Sequence, residues 1–198
     1  MGKVIYRKQE KDMKRPLSPQ KKYRYTLAFR MCLILVLADL LQNTAYVFPS
    51  IFGARAFLII PAVVSIAIFE QDITATYYGV FAGVLWDISS GYFDGLNAVM
   101  CMLTATAVCL LMHYVMRNNI VSALLLSAVA IVLYVVIHWL FFVVAKGAAD
   151  SVSSLLRFYL PSALYTFAFF PVYYYRVRSL RKQIRDRYPR RNLLLGIY

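Results

Sequence analysis

Charged residues are scarce in this sequence, and acidic ones are the scarcest of them. Asp, Glu, Lys and Arg make up 16% of the 198 residues, against about 25% in an average soluble domain. Apolar residues make up 61%, and the chain contains 16 Tyr and 13 Phe. This balance excludes an ordinary soluble domain and predicts a membrane protein with several spanning helices. The length suits a single membrane domain without a second globular one.

Cysteine and histidine are also few, with three copies of the first and two of the second. Cys32, Cys101 and Cys109 each lie within an apolar run, and none is near another in a metal or redox spacing. We therefore expect buried, inert thiols. No Ser/His/Asp or Cys/His set, no metal-ligand cluster and no phosphate-binding loop beside a Lys is visible. The sequence predicts no catalytic residue, no metal and no cofactor.

Basic residues are the exception to this scarcity, and they gather near the two ends of the chain. The formal net charge is +13, with ten of the 22 Lys and Arg at or before Arg30 and eight at or after Arg176. In a soluble protein this charge would suggest nucleic-acid binding. Here the charges bracket an apolar block, as in membrane proteins whose orientation they set, so we expect no nucleic-acid partner. The tail from Arg176 is also expected to attract anionic lipid headgroups.

Six apolar runs lie between the basic tails, and each is long enough to cross about 30 Å of hydrocarbon. The predicted spans are residues 25–47, 52–69, 73–90, 96–116, 120–145 and 155–175. Residues 1–24 are predicted to be a disordered cytoplasmic tail. Residues 176–198 are predicted to be a second cytoplasmic tail, which can continue as a helix up to Pro189. The sequence thus predicts an all-α transmembrane domain over residues 25–175.

The distribution of Lys and Arg predicts how this domain is oriented. The two tails, Arg30 near the start of the first span and Arg117 hold 19 of these residues, whereas the opposite loops hold three, Arg55, Lys146 and Arg157. With an even number of spans, this imbalance places both termini in the cytoplasm. The third run is short and rich in glycine, and the alternative is that it enters and leaves on one side. That would leave five spans and put the termini on opposite sides, against the charge distribution.

Four glycines and one aspartate recur at every fourth position in and after the third run, at Gly79, Gly83, Asp87, Gly91 and Gly95. A four-residue step advances about 400° on an α-helix, so such positions form one slowly drifting stripe. A face without side chains lets another helix approach closely, while the segment from Gly91 to Gly95 also has a turn composition. A carboxylate in this face costs about 2.5–3.5 kcal/mol unless it is paired or hydrated. We therefore expect the fold to supply a partner for Asp87.

Other polar residues are predicted at a depth similar to that of Asp87, in the outer half of the bilayer. Asp39 lies late in the first run, His138 lies late in the fifth, and Arg157 opens the sixth. We predict that these residues and Gln42 form an outer-half polar cluster, a prediction that rests on depth alone. The alternatives are that Asp39 draws in water from the outer surface and that His138 is a packed neutral group.

The motif of the third run resembles the signature of a known family. Gly79-x-x-x-Gly83-x-Leu85-x-Asp87-x-x-Ser90-Gly91-x-x-x-Gly95-Leu96 is similar to the signature of MreD, the bacterial rod-shape-determining membrane proteins. The chain size, the basic C-terminal end and the position of the motif before the middle of the chain agree with it. The resemblance covers about residues 25–180; it is specific at the motif and compositional elsewhere. The longer basic N-terminal tail departs from the family.

The resemblance implies a multi-pass protein of the bacterial cytoplasmic (inner) membrane with no chemistry of its own. It implies a scaffold or regulator of the cell-elongation complex that synthesises peptidoglycan. The implied partners are MreC, the RodA glycosyltransferase and its penicillin-binding transpeptidase, with MreB filaments as indirect partners. The signature positions carried onto this chain are Gly79, Gly83, Asp87, Ser90, Gly91 and Gly95. From the stripe itself we infer that they pack the third helix closely and hold Asp87 in place.

The main alternative function is that of a substrate-binding subunit of an energy-coupling-factor vitamin transporter. Those subunits are six-span proteins of similar size, and the MreD family is thought to share their fold. They usually carry an Ala-x-x-x-Ala-type contact motif on the first helix, and the run from Leu27 to Leu41 has none. The outer-half cluster would then be a ligand pocket or its remnant. A membrane enzyme, the third class, needs a catalytic set that is not visible.

Overall fold

A computed structural model describes residues 19–44, 56–91, 95–116, 119–141 and 158–187, and the regular structure in these ranges is helical. The α-helices are α1 (Pro19–Asn43), α2 (Ile59–Phe69), α3 (Asp72–Ser90), α4 (Leu96–Leu110), α5 (Ile120–Trp139) and α6 (Leu160–Arg187). A π-helical turn, Leu111–Val115, continues α4. The predicted all-α class is confirmed for these residues.

Three of the helical segments are long and apolar enough to cross a membrane, namely Lys21–Asn43, Leu96–Val115 and Ile120–Trp139. They correspond to the first, fourth and fifth predicted spans. The protein is therefore a membrane protein by the length and composition of its helices. The number of spans and the side of the termini stay predictions.

The second predicted span, residues 52–69, contains a shorter helix than the sequence predicts. Ala56, Phe57 and Leu58 precede the helix, and α2 itself has only 11 residues. Pro61 lies in the first turn of α2, where a missing N–H breaks no bond within the helix. The ten residues from Ile59 to Ile68 are all buried, as expected of a helix that is apolar all round. This short helix contacts α3, α4 and α5 and forms the centre of the core.

The first and last helices extend beyond their predicted spans. Helix α1 begins at Pro19, so residues 19–24 are helical although the sequence predicts a disordered tail there. Helix α6 continues through Pro171 to Arg187, 12 residues past the predicted end of the sixth span. This agrees with the expectation that the tail can continue as a helix toward Pro189.

The chain divides into two compact units. One consists of the two chain ends, residues 1–30 and 180–198, and buries Leu27 and Ile184. The other, residues 31–179, contains the core around α2 and is called the bundle below.

Candidate functional site

The glycines of the third run bring α3 against α4, the most extensive helix–helix contact in the described part of the chain. A Cβ atom at Gly79 would lie 2.6 Å from the carbonyl oxygen of Cys101. A Cβ atom at Gly83 would lie 2.5 Å from the carbonyl oxygen of Asn97 and 2.7 Å from the amide nitrogen of Ala98. Such distances are shorter than van der Waals contact, so the backbones can approach this closely only where the side chain is absent. Residue numbers increase along α3 while those of the contacted residues on α4 decrease, so the two helices are antiparallel.

Asp87 follows Gly83 on the same face of α3 and meets the start of α4. Its Oδ2 atom accepts a hydrogen bond of 3.0 Å from the backbone N–H of Ala98. Ala98 is the third residue of α4, so this N–H has no acceptor within its own helix. The carboxylate therefore caps α4 from a neighbouring helix and faces the positive end of its dipole. The backbone N–H of Ala98 is therefore the partner of Asp87 that the sequence predicts without identifying it.

The second oxygen of Asp87 has no such donor. Asp87 is only 6% exposed, and its Oδ1 atom is buried without a hydrogen-bond partner among the described residues. Asp87 thus has one oxygen that accepts a backbone hydrogen bond and one buried oxygen without a described partner.

Gly91 and Gly95 lie at the end of α3 and the start of α4, where the sequence predicts a turn, so the correction concerns only their inferred part in packing the third helix closely. Helix α3 ends at Ser90, and the two glycines have φ values of 72° and 68° as the C-cap of α3 and the N-cap of α4. No atom lies within 4 Å of where either Cβ would be. Their role is therefore the left-handed backbone conformation and not close packing. Ser90 donates a hydrogen bond of 3.2 Å to the carbonyl oxygen of Asp87 and so belongs to the same helix end.

Asp39 of α1 meets the other side of α3. The hydroxyl of Ser89 donates a hydrogen bond to its Oδ2 atom, and the side-chain amide of Asn43 donates one of 2.9 Å to its Oδ1 atom. Ser89 lies two residues after Asp87, a step of about 200° around the helix. The two acids are therefore on opposite sides of α3 and have different partners.

Gln42 connects α1 to the central helix. Its Oε1 atom accepts a hydrogen bond of 3.2 Å from the backbone N–H of Ile59, the first residue of α2. As at Asp87, a side chain from one helix satisfies an N–H group that another helix leaves without an acceptor.

A group of rings fills the interior beside these contacts. This aromatic cluster consists of Phe57, Trp86, Tyr134, His138 and Tyr159. Trp86 and Tyr134 are stacked with their centroids 5.1 Å apart, and the other adjacent rings lie 5.7–5.8 Å apart. Such pairs add stability beyond the area that they bury.

Two hydrogen bonds anchor the aromatic cluster to its surroundings. The hydroxyl of Tyr134 donates one of 2.6 Å to Oδ1 of Asn97 on α4. Nδ1 of His138 and the hydroxyl of Tyr159 form another, of 3.1 Å. Sequence analysis missed Trp86, Tyr134 and Asn97. The i, i+4 spacing of Tyr134 and His138 was the one available signal, because it places both rings on the same face of a helix.

The polar residues that the sequence singles out lie at one end of the bundle, called the polar end below. Asp39, Gln42, Asp87 and His138 lie where α1, α3 and α5 end and where α2, α4 and α6 begin. Their described contacts are separate, since they involve Ser89 and Asn43, Ile59, Ala98, and Tyr159 respectively. Arg157, the fifth predicted member, lies outside the described residues. These side chains thus lie at the same end of the bundle but contact different partners.

Polar contacts also join helices at the opposite end of the bundle. The thiol of Cys109 donates to the carbonyl oxygen of Glu70 over 3.2 Å, and the hydroxyls of Thr76 and Thr106 lie 2.9 Å apart. Cys101 and Cys109 are buried, whereas Cys32 is half-buried. In the ranges that the structure describes, no three His, Cys, Asp or Glu residues are placed to hold a metal ion.

Comparison with known proteins identifies the family. No curated protein and no solved structure matches the chain significantly. A family model described as rod shape-determining protein MreD matches residues 23–184, a range that begins four residues into α1 and ends three residues before the end of α6. The resemblance at the motif is thereby confirmed over most of the chain. MreD proteins act in rod shape determination, and this chain belongs to the MreD family.

Proposed function

We propose that the protein is a non-catalytic membrane scaffold or regulator of the cell-elongation complex that synthesises peptidoglycan. Its proposed direct partners are MreC and the synthase formed by RodA and a penicillin-binding transpeptidase, and MreB filaments are indirect partners. Membership of the MreD family supports the role in cell shape. The observation that supports the scaffold role is that the signature residues pack, cap and connect two helices.

Each described signature residue has a structural role. Gly79 and Gly83 let α3 and α4 approach closely, and Asp87 caps α4. Gly91 and Gly95 supply the two left-handed backbone positions of the turn. A motif whose glycines and acid are used in joining two helices is suited to presenting a rigid surface to partner proteins. We therefore propose no reaction and no cofactor for this site.

We also propose that the chain crosses the bacterial cytoplasmic membrane six times, with both termini in the cytoplasm. Contacts at the end of α2 support an alternating direction of the helices. The rings of Phe69 and Tyr174 lie 5.2 Å apart, and Cys109 contacts Glu70. The C-terminal halves of α2, α4 and α6 thus meet at one level of the bundle.

The length of α3 supports a full crossing by the third span. It is a continuous helix of 19 residues, and at 1.5 Å per residue it extends about 28 Å, close to the thickness of the hydrocarbon core. A re-entrant segment would have to turn back within this length. The excess of Lys and Arg at the chain ends supports the proposal that both termini are cytoplasmic.

An affinity capture tests the proposed partners. The full-length tagged protein would be solubilised from native membranes in a mild detergent, and co-purifying proteins would be identified by mass spectrometry. We expect MreC, RodA and the transpeptidase with the wild type and with Val84→Leu, which alters an exposed neighbour of Gly83. We expect them to be lost with Gly83→Leu, because this side chain would separate α3 from α4.

Two outcomes would contradict the proposal. Full recovery of the wild-type protein without MreC or RodA would remove the scaffold role. Recovery of a pair of ATPases with a small transmembrane coupling subunit would instead identify the substrate-binding subunit of a transporter.

A further inference from the structure

The charge of this protein is divided unequally between its two compact units. The chain ends, residues 1–30 and 180–198, hold 16 Lys and Arg and three acidic residues. The bundle, residues 31–179, holds six Lys and Arg and six acidic residues. The whole formal net charge of +13 therefore belongs to the chain ends, and the bundle is neutral.

Helix α6 arranges part of this charge along one side. Arg178, Arg181, Lys182 and Arg185, called the basic face below, follow the spacing i, i+3, i+4 and i+7, which puts them on one side of a helix. Arg178, Lys182 and Arg185 are exposed, and Arg181 is half-buried.

The buried side of the same stretch is marked by two apolar residues. Val177 and Ile184 are buried and lie on the neighbouring side of the helix. One acid, Asp186, stands between Arg176 and the end of α6. The exposed side of this helical segment thus carries the positive charges of Arg178, Lys182 and Arg185.

The composition just before the basic face predicts that this face begins close to the phospholipid headgroups. Tyr175 is 55% exposed and ends the tyrosine cluster 173–175, a composition typical of the membrane–water interface. At 1.5 Å per residue, Arg178 lies about 4.5 Å and Lys182 about 10 Å further along the helix. The headgroup layer is about 5–7 Å thick on each side, and long basic side chains bend back toward it.

We propose that the basic face of α6 binds the phosphate groups of anionic phospholipids in the adjoining leaflet. This inference goes beyond the proposed function, because it requires neither MreC nor RodA. Proximity to the interfacial tyrosine favours lipid over an acidic protein segment. The screening length of about 8 Å at physiological salt limits the attraction to cations near the surface, which Arg178 and Lys182 satisfy.

The test measures lipid binding by the full-length protein in detergent micelles. The shift in its thermal unfolding midpoint would be followed during titration with phosphatidylglycerol or with phosphatidylcholine at low and high salt, since a ligand of the folded state raises this midpoint. We expect the anionic lipid to stabilise the protein and the zwitterionic lipid to have little effect. High salt should remove most of the difference.

Two triple variants locate the effect. Arg178→Gln, Lys182→Gln and Arg185→Gln together should weaken binding of the anionic lipid about a hundredfold, at roughly fivefold for each cation near the surface. The matched control, with Arg178→Lys, Lys182→Arg and Arg185→Lys, keeps the charge and should bind as the wild type does. Lys182→Gln alone should give roughly a fivefold loss and is the least perturbing variant.

Three outcomes would overturn the proposal. One is equal stabilisation by the two lipids, which would leave the charges a role in topology only. The second is unchanged binding by the glutamine triple variant, which would place the lipid elsewhere. The third is that soluble polyglutamate displaces the lipid from the basic face at an equal concentration of charge. This result would assign the basic face to an acidic protein partner.

Discussion

The two sides of α3 show two ways of burying an aspartate. On the side toward α4, Asp87 receives a backbone N–H beside glycines that let the helices touch. On the side toward α1, Asp39 receives the side chains of Ser89 and Asn43. The exposed fractions are nearly equal, at 6% and 5%. Burial alone therefore does not describe either site, because the donor of one is part of the backbone and the donors of the other are side chains.

This difference has a consequence for mutation. A backbone N–H at a helix start stays in place whatever side chain its residue carries, so the Asp87 contact depends on Asp87 itself and on the closeness of α3 and α4. The Asp39 contact instead depends on three side chains, each of which can be lost separately. The α3–α4 side should accordingly show the larger effects.

The largest effect is expected from Gly83→Ala. The added Cβ would overlap backbone atoms of Asn97 and Ala98, which cannot rotate away, so we expect a loss of about 3 kcal/mol in the free energy of unfolding. Titration with SDS from mild detergent micelles measures this quantity. Ile88→Val on the exposed side of α3 is the control and should change stability by less than about 0.5 kcal/mol. A Gly83→Ala protein as stable as the control would refute the close approach.

The next effect in size is expected from Asp87→Ala. It leaves the N–H of Ala98 without its acceptor and should cost about 2 kcal/mol by the same titration. Asp87→Asn keeps a carbonyl oxygen as acceptor and should recover part of this loss. If the two variants were equally unstable, the charge and not the cap would be the stabilising feature.

Gly91→Ala tests the end of the same helix. Its φ of 72° requires the left-handed conformation, so alanine should cost about 1–2 kcal/mol. Asn tolerates this conformation better, so Gly91→Asn should lose less than alanine does. Equal stability of the glycine, asparagine and alanine proteins would show that the turn adopts another conformation.

The smallest effect is expected on the α1 side, from Ser89→Ala. Asp39 loses one of its two described donors but keeps Asn43, so the expected cost is about 1 kcal/mol. Ser89→Thr retains a hydroxyl and serves as the matched control. A loss larger than that of Asp87→Ala would reverse the comparison between the two sides of α3.

Much of the local structure could be predicted from the sequence. The apolar runs predict helices, and the structure places α3 at Asp72–Ser90 against a predicted 73–90. The four-residue spacing of Gly79, Gly83 and Asp87 predicts that they share one face of α3, whereas the family was suggested by the resemblance of the whole motif to a known signature. Helix α2 was predicted too long, because apolar composition continues before Ile59 while the backbone does not yet turn into a helix there.

The polar end shows what spacing along the chain does not contain. Asp39, Gln42, Asp87 and His138 were predicted to share one depth in the bilayer, which stays a prediction, and the structure places them near helix ends with separate partners. Their partners could not be predicted, since Ala98 offers only a backbone group that every residue possesses. Asn97 and Tyr134 are 37 positions apart, and no local pattern connects them.

The sequence by itself determined the helical class, the membrane character, the family and the concentration of positive charge at the chain ends. The family follows from the resemblance of a motif, and the other properties depend on composition and on the 3.6-residue repeat, which act within one helix. Only the tertiary structure decided that α4 is the helix that the glycines meet, that its N-terminus receives Asp87, and that Asp39 lies on the opposite side of α3. The physical reason is that contacts between helices depend on the rotation of each helix about its axis, and the packing of all the helices together determines that rotation.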